Sequence, residues 1–388
     1  MTFYYSTFSI IPSQKANSVQ VMQMCQAFSS VTDDLLLFCR KGDTNTHNVY
    51  EYYGVNECFR IHSIPTPKIR IFDRLYYAFA IISEIRKRKE PAIIYSRDQF
   101  TTGILCLLHP NPHQIVLEVH APPTNRFWRW WMKRTLYSRR LSHIVAISHA
   151  LASEITELFG DFPTNRILVA HDGASRGADL HDNNFVVREF DRKHPRKIGY
   201  VGSLRPGKGM ELIHQLAALM PEHEFHIVGG DDHTVGKWKS KANHPNLIFH
   251  GFISPSKTDE YIAQFDVLLA PYQPVVLVGN DNINISPWMS PLKIFEYMKS
   301  GKPIVASNLP VLREVLEHGR NALLADATDP NDWRENISRL LSDQQLQSEI
   351  CRNAYEDFRA KYTWERRAEN ILKSISRDSK NYDVPEVM

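Results

Sequence analysis

The sequence predicts an α/β protein with two Rossmann-like domains, each containing a doubly wound parallel sheet. Short apolar runs alternate with helical patterns along the chain, as is typical of parallel sheets with helices on both faces. The alternation stops in a polar stretch from Gly177 to Arg196 and then restarts, which divides the chain in two. Because such sheets bind ligands at the carboxyl ends of their strands, we expect the two domains to face each other across a cleft.

The strand candidates are short apolar runs. In the first half they are Phe3–Ile10, Leu35–Phe38, Ala92–Tyr95, Ile115–Val119, Ile144–Ile147 and Ile167–Val169, with helical stretches such as Ser18–Phe28 and Arg70–Arg88 between them. In the second half they are Ile198–Val201, Phe225–Val228, Leu247–Phe249, Val267–Leu269, Pro303–Ala306 and Ala322–Leu324. We predict an N-terminal domain over residues 1–190, a C-terminal domain over residues 191–363, and a terminal helix and tail over residues 364–388 that packs back on the first domain.

The composition is that of a globular protein from a reducing compartment. Of the 388 residues, 43% are hydrophobic and 23% are charged, which suffices for two cores. The five cysteines are scattered and form no C-x-x-C pair, which argues against a disulfide framework or a thiolate zinc site. We see no signal peptide and no apolar run of about 18 residues. We therefore expect a cytoplasmic protein, soluble or bound at the inner face of the plasma membrane.

The segment from Ser290 to Ser307 carries the strongest signal for a binding site. It predicts a helix with Ser290 as N-cap, Pro291 at the first helical position and Gly301 as the C-terminal stop. The long irregular segment before it, Pro271 to Met289, is of a length that is often functional, although a disordered insertion is the alternative.

This helix start has the features of an anion site. The free backbone amides of Leu292 and Lys293 point out of the helix, and Glu296 follows about one turn further in. A diphosphate on the amides with a ribose diol on the carboxylate satisfies both features. A plain capped helix is the alternative.

The run from Ser290 to Glu314 resembles the donor-binding signature of glycosyltransferase family 4, and the similarity extends over most of the chain. The resemblance implies the GT-B fold, a nucleotide-sugar donor and retention of anomeric configuration. It also implies that Glu296 holds the ribose and that the Leu292 and Lys293 amides hold the diphosphate. The family's motif has an earlier glutamate where this chain has Trp288, which leaves the identity of the sugar open.

A second candidate is the glycine-rich turn YVGSLRPGKG at residues 200–209, between a strand and a helix. Such a turn lets the backbone, here at Gly202 and Ser203, approach a phosphate, and Lys208 adds a compact positive charge. A simple strand–helix turn is the alternative, because no P-loop or dinucleotide fingerprint is present. The resembling family carries an arginine at the position of Ser203, and we expect Arg205 to take its place.

The first half offers candidates where strands end. The family places a histidine at the position of His120, against the donor sugar, whereas a hydrogen-bonded structural histidine is the alternative. Arg97 ends another strand, with a surface ion pair to Asp98 as the alternative. Lys15 and Asn17, in the turn after the first strand, are with Arg97 our candidates for the acceptor side, and a helix-capping turn is the alternative.

An acid-free segment from Arg126 to Arg140 interleaves tryptophan with basic residues. Such a helix suits an anionic lipid surface, and the basic run Arg86–Lys89 adds charge nearby in sequence. Packing of its aromatic face on the sheet is the alternative, and nucleic acid is disfavoured because no nucleic-acid motif accompanies it. The candidates for membrane contact are Trp128, Arg129, Trp131, Lys133 and Arg134.

The sequence has no D-x-D pair and no His/Cys cluster with zinc spacing, so we expect a reaction without metal or other cofactor. Lys208, Arg205 and the helix amides would then stabilise the departing diphosphate, with His120 at the sugar. The predicted function is transfer from a UDP- or GDP-sugar to a glycan or lipid-linked acceptor of a surface polysaccharide. A nucleotide-sugar epimerase or hydrolase, and an inactive nucleotide-sugar-binding partner, are the alternatives.

Overall fold

The chain folds into two compact units. The computed structural model describes residues 2–42, 48–69, 71–87, 91–108, 113–160, 162–177, 180, 195–241, 244–278 and 283–379. Unit 1 comprises Met1–Asp172 and Trp364–Met388, and unit 2 comprises Gly173–Thr363. The first segment of unit 1 thus ends at Asp172, earlier than the predicted domain boundary at residue 190. Residues 181–194 of the predicted linker lie outside the described residues.

Unit 1 contains a seven-stranded parallel sheet in the order β3-β2-β1-β4-β5-β6-β7. The strands are β1 Thr2–Ile11, β2 Asp34–Lys41, β3 Arg60–Ile64, β4 Ala92–Ser96, β5 Gln114–Val119, β6 Leu141–Ala146 and β7 Ile167–Val169. Its order reverses between β1 and β4, which is where doubly wound sheets form a ligand crevice. The prediction missed only β3 in this sheet, because this edge strand is mostly exposed and lacks an apolar run.

The helices of unit 1 cover the two faces of this sheet. They are α1 Ala16–Ser29, α2 Val49–Tyr53, α3 Phe72–Arg86, α4 Gln99–Leu108, α5 Arg126–Leu136, α6 His149–Phe159 and the C-terminal α13 Trp364–Ser379. Helix α13 packs against α1 and β6, so the last described helix belongs to the same unit as the first strand.

Unit 2 contains a six-stranded parallel sheet in the order β10-β9-β8-β11-β14-β15. The strands are β8 Lys197–Val201, β9 Glu224–Val228, β10 Leu247–Gly251, β11 Val267–Ala270, β14 Ile304–Ser307 and β15 Leu323–Ala325. The helices are α7 Met210–Leu219, α8 Asp232–Lys241, α9 Thr258–Ile262, α10 Leu292–Lys299, α11 Pro330–Ser342 and α12 Gln344–Lys361. Here the order reverses between β8 and β11.

The segment predicted to be irregular, Pro271 to Met289, contains a short antiparallel pair that the sequence did not reveal. It consists of β12 Leu277–Val278 and β13 Ile283–Asn284. Apart from this pair and β3, the strands of both sheets coincide with predicted apolar runs. The prediction of two Rossmann-like α/β domains is therefore confirmed.

A buried ion pair fastens α13 to the sheet of unit 1. Arg367 Nη1 lies 3.1 Å from Glu118 Oε2, and the two residues are only 3% and 1% exposed. Arg367 Nε also donates to the carbonyl oxygen of His171 at 2.9 Å. Burial alone would raise the pKa of Glu118, but Arg367, His120 and Arg97 together hold it well below its usual range. Glu118 is therefore an ionised carboxylate that depends on the positive charge of α13.

We predict that Arg367→Met destabilises the protein by ~3–5 kcal/mol, because it leaves the Glu118 carboxylate buried without its partner. Thermal unfolding followed by circular dichroism measures the effect. The control is Arg366→Met, which removes the adjacent arginine and its exposed pair with Glu369, and which should cost less than ~1 kcal/mol. Equal losses in the two variants would contradict the role of the buried pair.

Candidate functional site

The predicted donor-site residues of unit 2 lie at the edge of the sheet where its strand order reverses. Strand β8 ends at Val201 and is followed by Gly202 and Ser203, while its neighbour β11 ends at Ala270 and is followed by Pro271. The two strands are parallel, so their carboxyl ends meet at one edge. This is the position at which doubly wound sheets bind ligands.

Helix α10 starts one residue later than predicted. Its first helical residue is Leu292, and Pro291 occupies the N-cap position with an extended backbone. The prediction that Ser290 is the N-cap is wrong, because Pro291 occupies that position. The side chain of proline has no hydrogen-bonding group, so it cannot cap the helix. Gly301 follows the C-cap residue with a φ of 64°, in agreement with the predicted stop.

The start of α10 presents open backbone amides. Among the described residues, neither the amide of Leu292 nor that of Lys293 has a hydrogen-bond acceptor. The Tyr297 hydroxyl accepts from the amide of Val201 at 2.9 Å and lies 3.3 Å from the carbonyl oxygen of Leu269. These bonds hold α10 against the ends of β8 and β11, beside the glycine-rich turn.

Two lysines lie beside aromatic rings at this edge. The ammonium of Lys293 is 3.7 Å from the ring centroid of Tyr200 and 5.0 Å from that of Tyr272. Lys208 approaches the same Tyr272 ring at 4.7 Å. A Cβ added at Gly202 would lie 3.0 Å from Lys293 Nζ, and the φ of 149° also favours glycine there. The glycine thus leaves room for the lysine beside the turn.

Burial lowers the pKa of both lysines. It lowers that of Lys208 to about 8, with a contribution from Arg205. It lowers that of Lys293 well below its usual range, and the charge of Lys208 lowers it further. Burial also raises the pKa of Glu296, the half-buried carboxyl one turn into α10. Arg205 and Ser203 are exposed.

From the sequence, only the backbone amide of Lys293 was predicted to belong to the site. The side chains of Lys293, Tyr200 and Tyr272 were not predicted to lie there. A helical pattern could have indicated the orientation of Lys293. It stands four residues before Tyr297, and residues at this spacing share one helix face. Both are buried.

In unit 1, the candidates His120 and Arg97 meet around Glu118. His120 Nε2 lies 2.6 Å from Glu118 Oε1, and Arg97 Nε lies 3.1 Å from the same oxygen. Gln20 and Tyr95 also hydrogen-bond to this carboxylate. Burial lowers the pKa of His120, and Arg97 lowers it further. The contact with Glu118 agrees with the structural alternative for His120, although 30% of its side chain stays exposed.

The acceptor-side candidates are only partly brought together. Arg97 Nη1 donates to the carbonyl oxygen of Asn17 at 3.1 Å, at the point where the strand order of unit 1 reverses between β1 and β4. The side chain of Lys15 is exposed and makes no capping hydrogen bond. The alternative that Arg97 pairs with Asp98 is wrong, because Asp98 pairs instead with Arg74 at 2.8 Å.

Helix α5 divides its aromatic residues between the interior and the surface. Trp131 is half-buried: its ring stacks on Phe100 at 5.2 Å, and its Nε1 donates to the Gln99 carbonyl oxygen, so much of this predicted membrane candidate is engaged within unit 1. Trp128 is half-buried. The residues of α5 that reach the surface are Phe127 and Trp130, each 53% exposed, with the basic residues Arg126, Arg129, Lys133 and Arg134.

Helix α3 adds apolar surface that the sequence interpretation did not single out. Phe72, Tyr76 and Phe79 are exposed at a spacing that places them on one side of the helix, and Ile71 is exposed just before it. Both α3 and α5 pack against α4. Of the basic run Arg86–Lys89, the last two residues lie outside the described residues.

The part of the chain that the structure describes contains no cluster of three His, Cys, Asp or Glu residues with the geometry of a metal site. In the same residues, no helix is long and apolar enough to cross a bilayer.

Both units match models of glycosyltransferase families. Residues 195–343 match the model described as "Glycosyl transferases group 1", and residues 18–177 match that described as "Glycosyltransferase Family 4". An uncharacterized glycosyltransferase of Methanocaldococcus jannaschii is 24% identical over 59% of this chain, and the alignment spans only 57% of that relative. A second one from the same organism is 22% identical over 84% of this chain and 87% of its own length.

Solved structures share the whole fold. The Anabaena HepE protein in complex with UDP-glucose has a TM-score of 0.70 at 16% identity, covering 97% of this chain and 100% of that one. The lipopolysaccharide outer core galactosyltransferase WaaB has a TM-score of 0.67 at 14% identity, covering 97% and 100%. The chain therefore has the GT-B fold, and each of its two units matches a glycosyltransferase family model.

Proposed function

We propose that this glycosyltransferase transfers a sugar from a UDP- or GDP-sugar to a glycan or lipid-linked acceptor, with retention of configuration and without a metal. One observation carries the proposal. At a single edge of the unit 2 sheet, two open helix amides lie near the half-buried Lys208 and the half-buried carboxyl of Glu296. A nucleoside diphosphate offers the complementary groups, a diphosphate and a ribose diol. The HepE complex with UDP-glucose supports a nucleotide-sugar donor.

The reaction breaks the bond between the sugar and the diphosphate, so negative charge develops on the leaving group. The amides of Leu292 and Lys293 and the ammonium of Lys208 stabilise that charge. Glu296 holds the ribose hydroxyls. The acceptor hydroxyl attacks from the side of the leaving group, and the departing phosphate oxygen takes its proton, so no separate general base is required.

The remaining candidates belong to the sugar and the acceptor. We assign His120 to the donor sugar, because part of its side chain stays exposed, and Asn17 and Arg97 to the acceptor. The name of WaaB supports a role in surface polysaccharide synthesis. An epimerase or hydrolase is not favoured, because both matched models describe glycosyltransferases.

We further propose that the exposed faces of α3 and α5 bind an anionic membrane surface. Trp130 and Phe127 alternate along α5 with Arg129, Lys133 and Arg134, and this pairing of rings with cations suits lipid headgroups. The aromatic side of α3 extends the apolar surface. This replaces the predicted Trp128 and Trp131 by Phe127 and Trp130 as the aromatic contacts.

We predict that Lys208→Ala and Glu296→Ala each lower the rate of transfer by at least about 100-fold, since each removes a group that binds the leaving nucleotide. A thermal-shift screen of UDP- and GDP-sugars first identifies the donor. Transfer is then measured by release of the nucleoside diphosphate, with Lys239→Ala on the exposed surface of α8 as control. Turnover at the wild-type rate in either variant would refute its role.

The affinity for UDP or GDP should fall by up to about tenfold between pH 7 and pH 9. The reason is that Lys208, whose pKa is lowered to about 8, binds the anion only when protonated and loses its proton in this range. Calorimetric titration at several pH values measures the change. In Lys208→Arg the decline should be smaller, because arginine stays charged. A flat profile for the wild type would count against Lys208 as an anion ligand.

Vesicles containing anionic phosphatidylglycerol should bind the protein more tightly than neutral vesicles of phosphatidylcholine. Neutralising Arg129, Lys133 or Arg134 by glutamine should weaken binding about fivefold per residue, in line with ~1 kcal/mol for each basic residue near the surface. Trp130→Ser should also weaken it, whereas Phe252→Ser, at an exposed aromatic residue of unit 2, should not. Cosedimentation measures the bound fraction. Equal binding to both kinds of vesicle would rule out this surface.

A further inference from the structure

The side chain of Lys293 has an environment that is unusual for a buried cation. The residue is 7% exposed, and its ammonium nitrogen has no hydrogen-bond partner in the described part of the chain. Burying a charge without a partner is costly, and proteins usually avoid it. The contacts with the faces of Tyr200 and Tyr272 provide only part of the compensation.

The position of this ammonium relates it to the open start of α10. Lys293 is the second residue of the helix, so its own amide is one of the two that lack an acceptor. Its Nζ lies beside Gly202, the first residue after β8. An unpaired cation, two unpaired amides and the turn carrying Lys208 therefore gather at one place.

Electrostatic repulsion makes this place a better site for an anion than for a neutral group. Lys208 and Lys293 approach the same ring of Tyr272, and each carries the same charge when protonated. The charge of Lys208 contributes to the lowered pKa of Lys293. An anion bound between them removes the repulsion and supplies the missing acceptor.

We propose that the Lys293 ammonium is the second cation of the phosphate site and binds the diphosphate of the donor together with Lys208. It takes the role that the sequence interpretation gave to Arg205, whose side chain is exposed. The assignment rests on the proposed function, since it specifies how that function's donor is held. A consequence is that donor binding takes up protons, because the anion favours the charged form of both lysines.

The test is calorimetric titration of the full-length chain and its Lys293→Met variant with UDP and GDP. Methionine matches the lysine side chain as far as Cε and removes the ammonium group. We expect about 10- to 100-fold weaker binding of the diphosphate that binds the wild type. The affinity for the corresponding nucleoside, uridine or guanosine, should stay unchanged. The control Lys239→Met, at an exposed lysine of α8, should bind like the wild type.

Thermal unfolding separates this role from a structural one. Because Lys293→Met replaces an unpartnered buried cation by an apolar group, its midpoint should equal or exceed that of the wild type without ligand. Weaker diphosphate binding in an equally stable variant supports the assignment. If Lys293→Met fails to fold, Lys293→Arg is tested instead. It keeps the charge and should retain diphosphate binding. Loss of binding in that folded variant would overturn the proposal.

The outcomes also distinguish this inference from the proposed function. If the wild type binds UDP or GDP and Lys293→Met binds it equally well, only the role of Lys293 is refuted. If the wild type binds inorganic pyrophosphate in a Lys293-dependent manner but no nucleotide, the anion site stands and the proposed function fails. If it binds none of these ligands, both fail together.

Discussion

The buried carboxylate of Glu118 sets the main constraint on unit 1. An ionised group at the end of a central strand is tolerated only when positive charges and hydrogen-bond donors surround it. Arg97 comes from the end of β4, Gln20 from α1 and Arg367 from α13. The carboxylate therefore unites segments that are far apart in sequence, and it contacts Arg97 and His120, which directly follow β4 and β5.

Unit 2 presents the opposite electrostatic situation at the corresponding edge of its sheet. The half-buried Lys208 and the buried Lys293 lie near the same ring, and the ammonium of Lys293 has no partner among the described residues. Charge that the fold balances internally serves stability, as around Glu118. Charge that it leaves unbalanced beside open helix amides is available to a ligand of opposite sign. This contrast is the reason why we propose the diphosphate site in unit 2.

The apolar runs in the sequence correctly predicted the buried strands, whereas the surroundings of individual side chains were predicted less well. Buried strands such as β8 and β11 read as continuous apolar segments, but the exposed edge strand β3 does not. The start of α10 was predicted within one residue, yet the cap was wrong because Pro291 takes the N-cap position itself. The aromatic partners of Lys293, and the contrast on α5 between the half-buried Trp131 and the exposed Trp130, depend on tertiary packing that periodicity alone does not fix.

The return of α13 to unit 1 has a consequence for biosynthesis. A ribosome completes all of unit 2 before it adds Arg367, the residue that neutralises Glu118. Until then the basic neighbours of Glu118 among the described residues are Arg97 and His120, so the N-terminal unit lacks one of its buried ion pairs while residues 173–363 are being synthesised. The N-terminal unit therefore acquires its complete set of buried ion pairs only after translation has passed through unit 2.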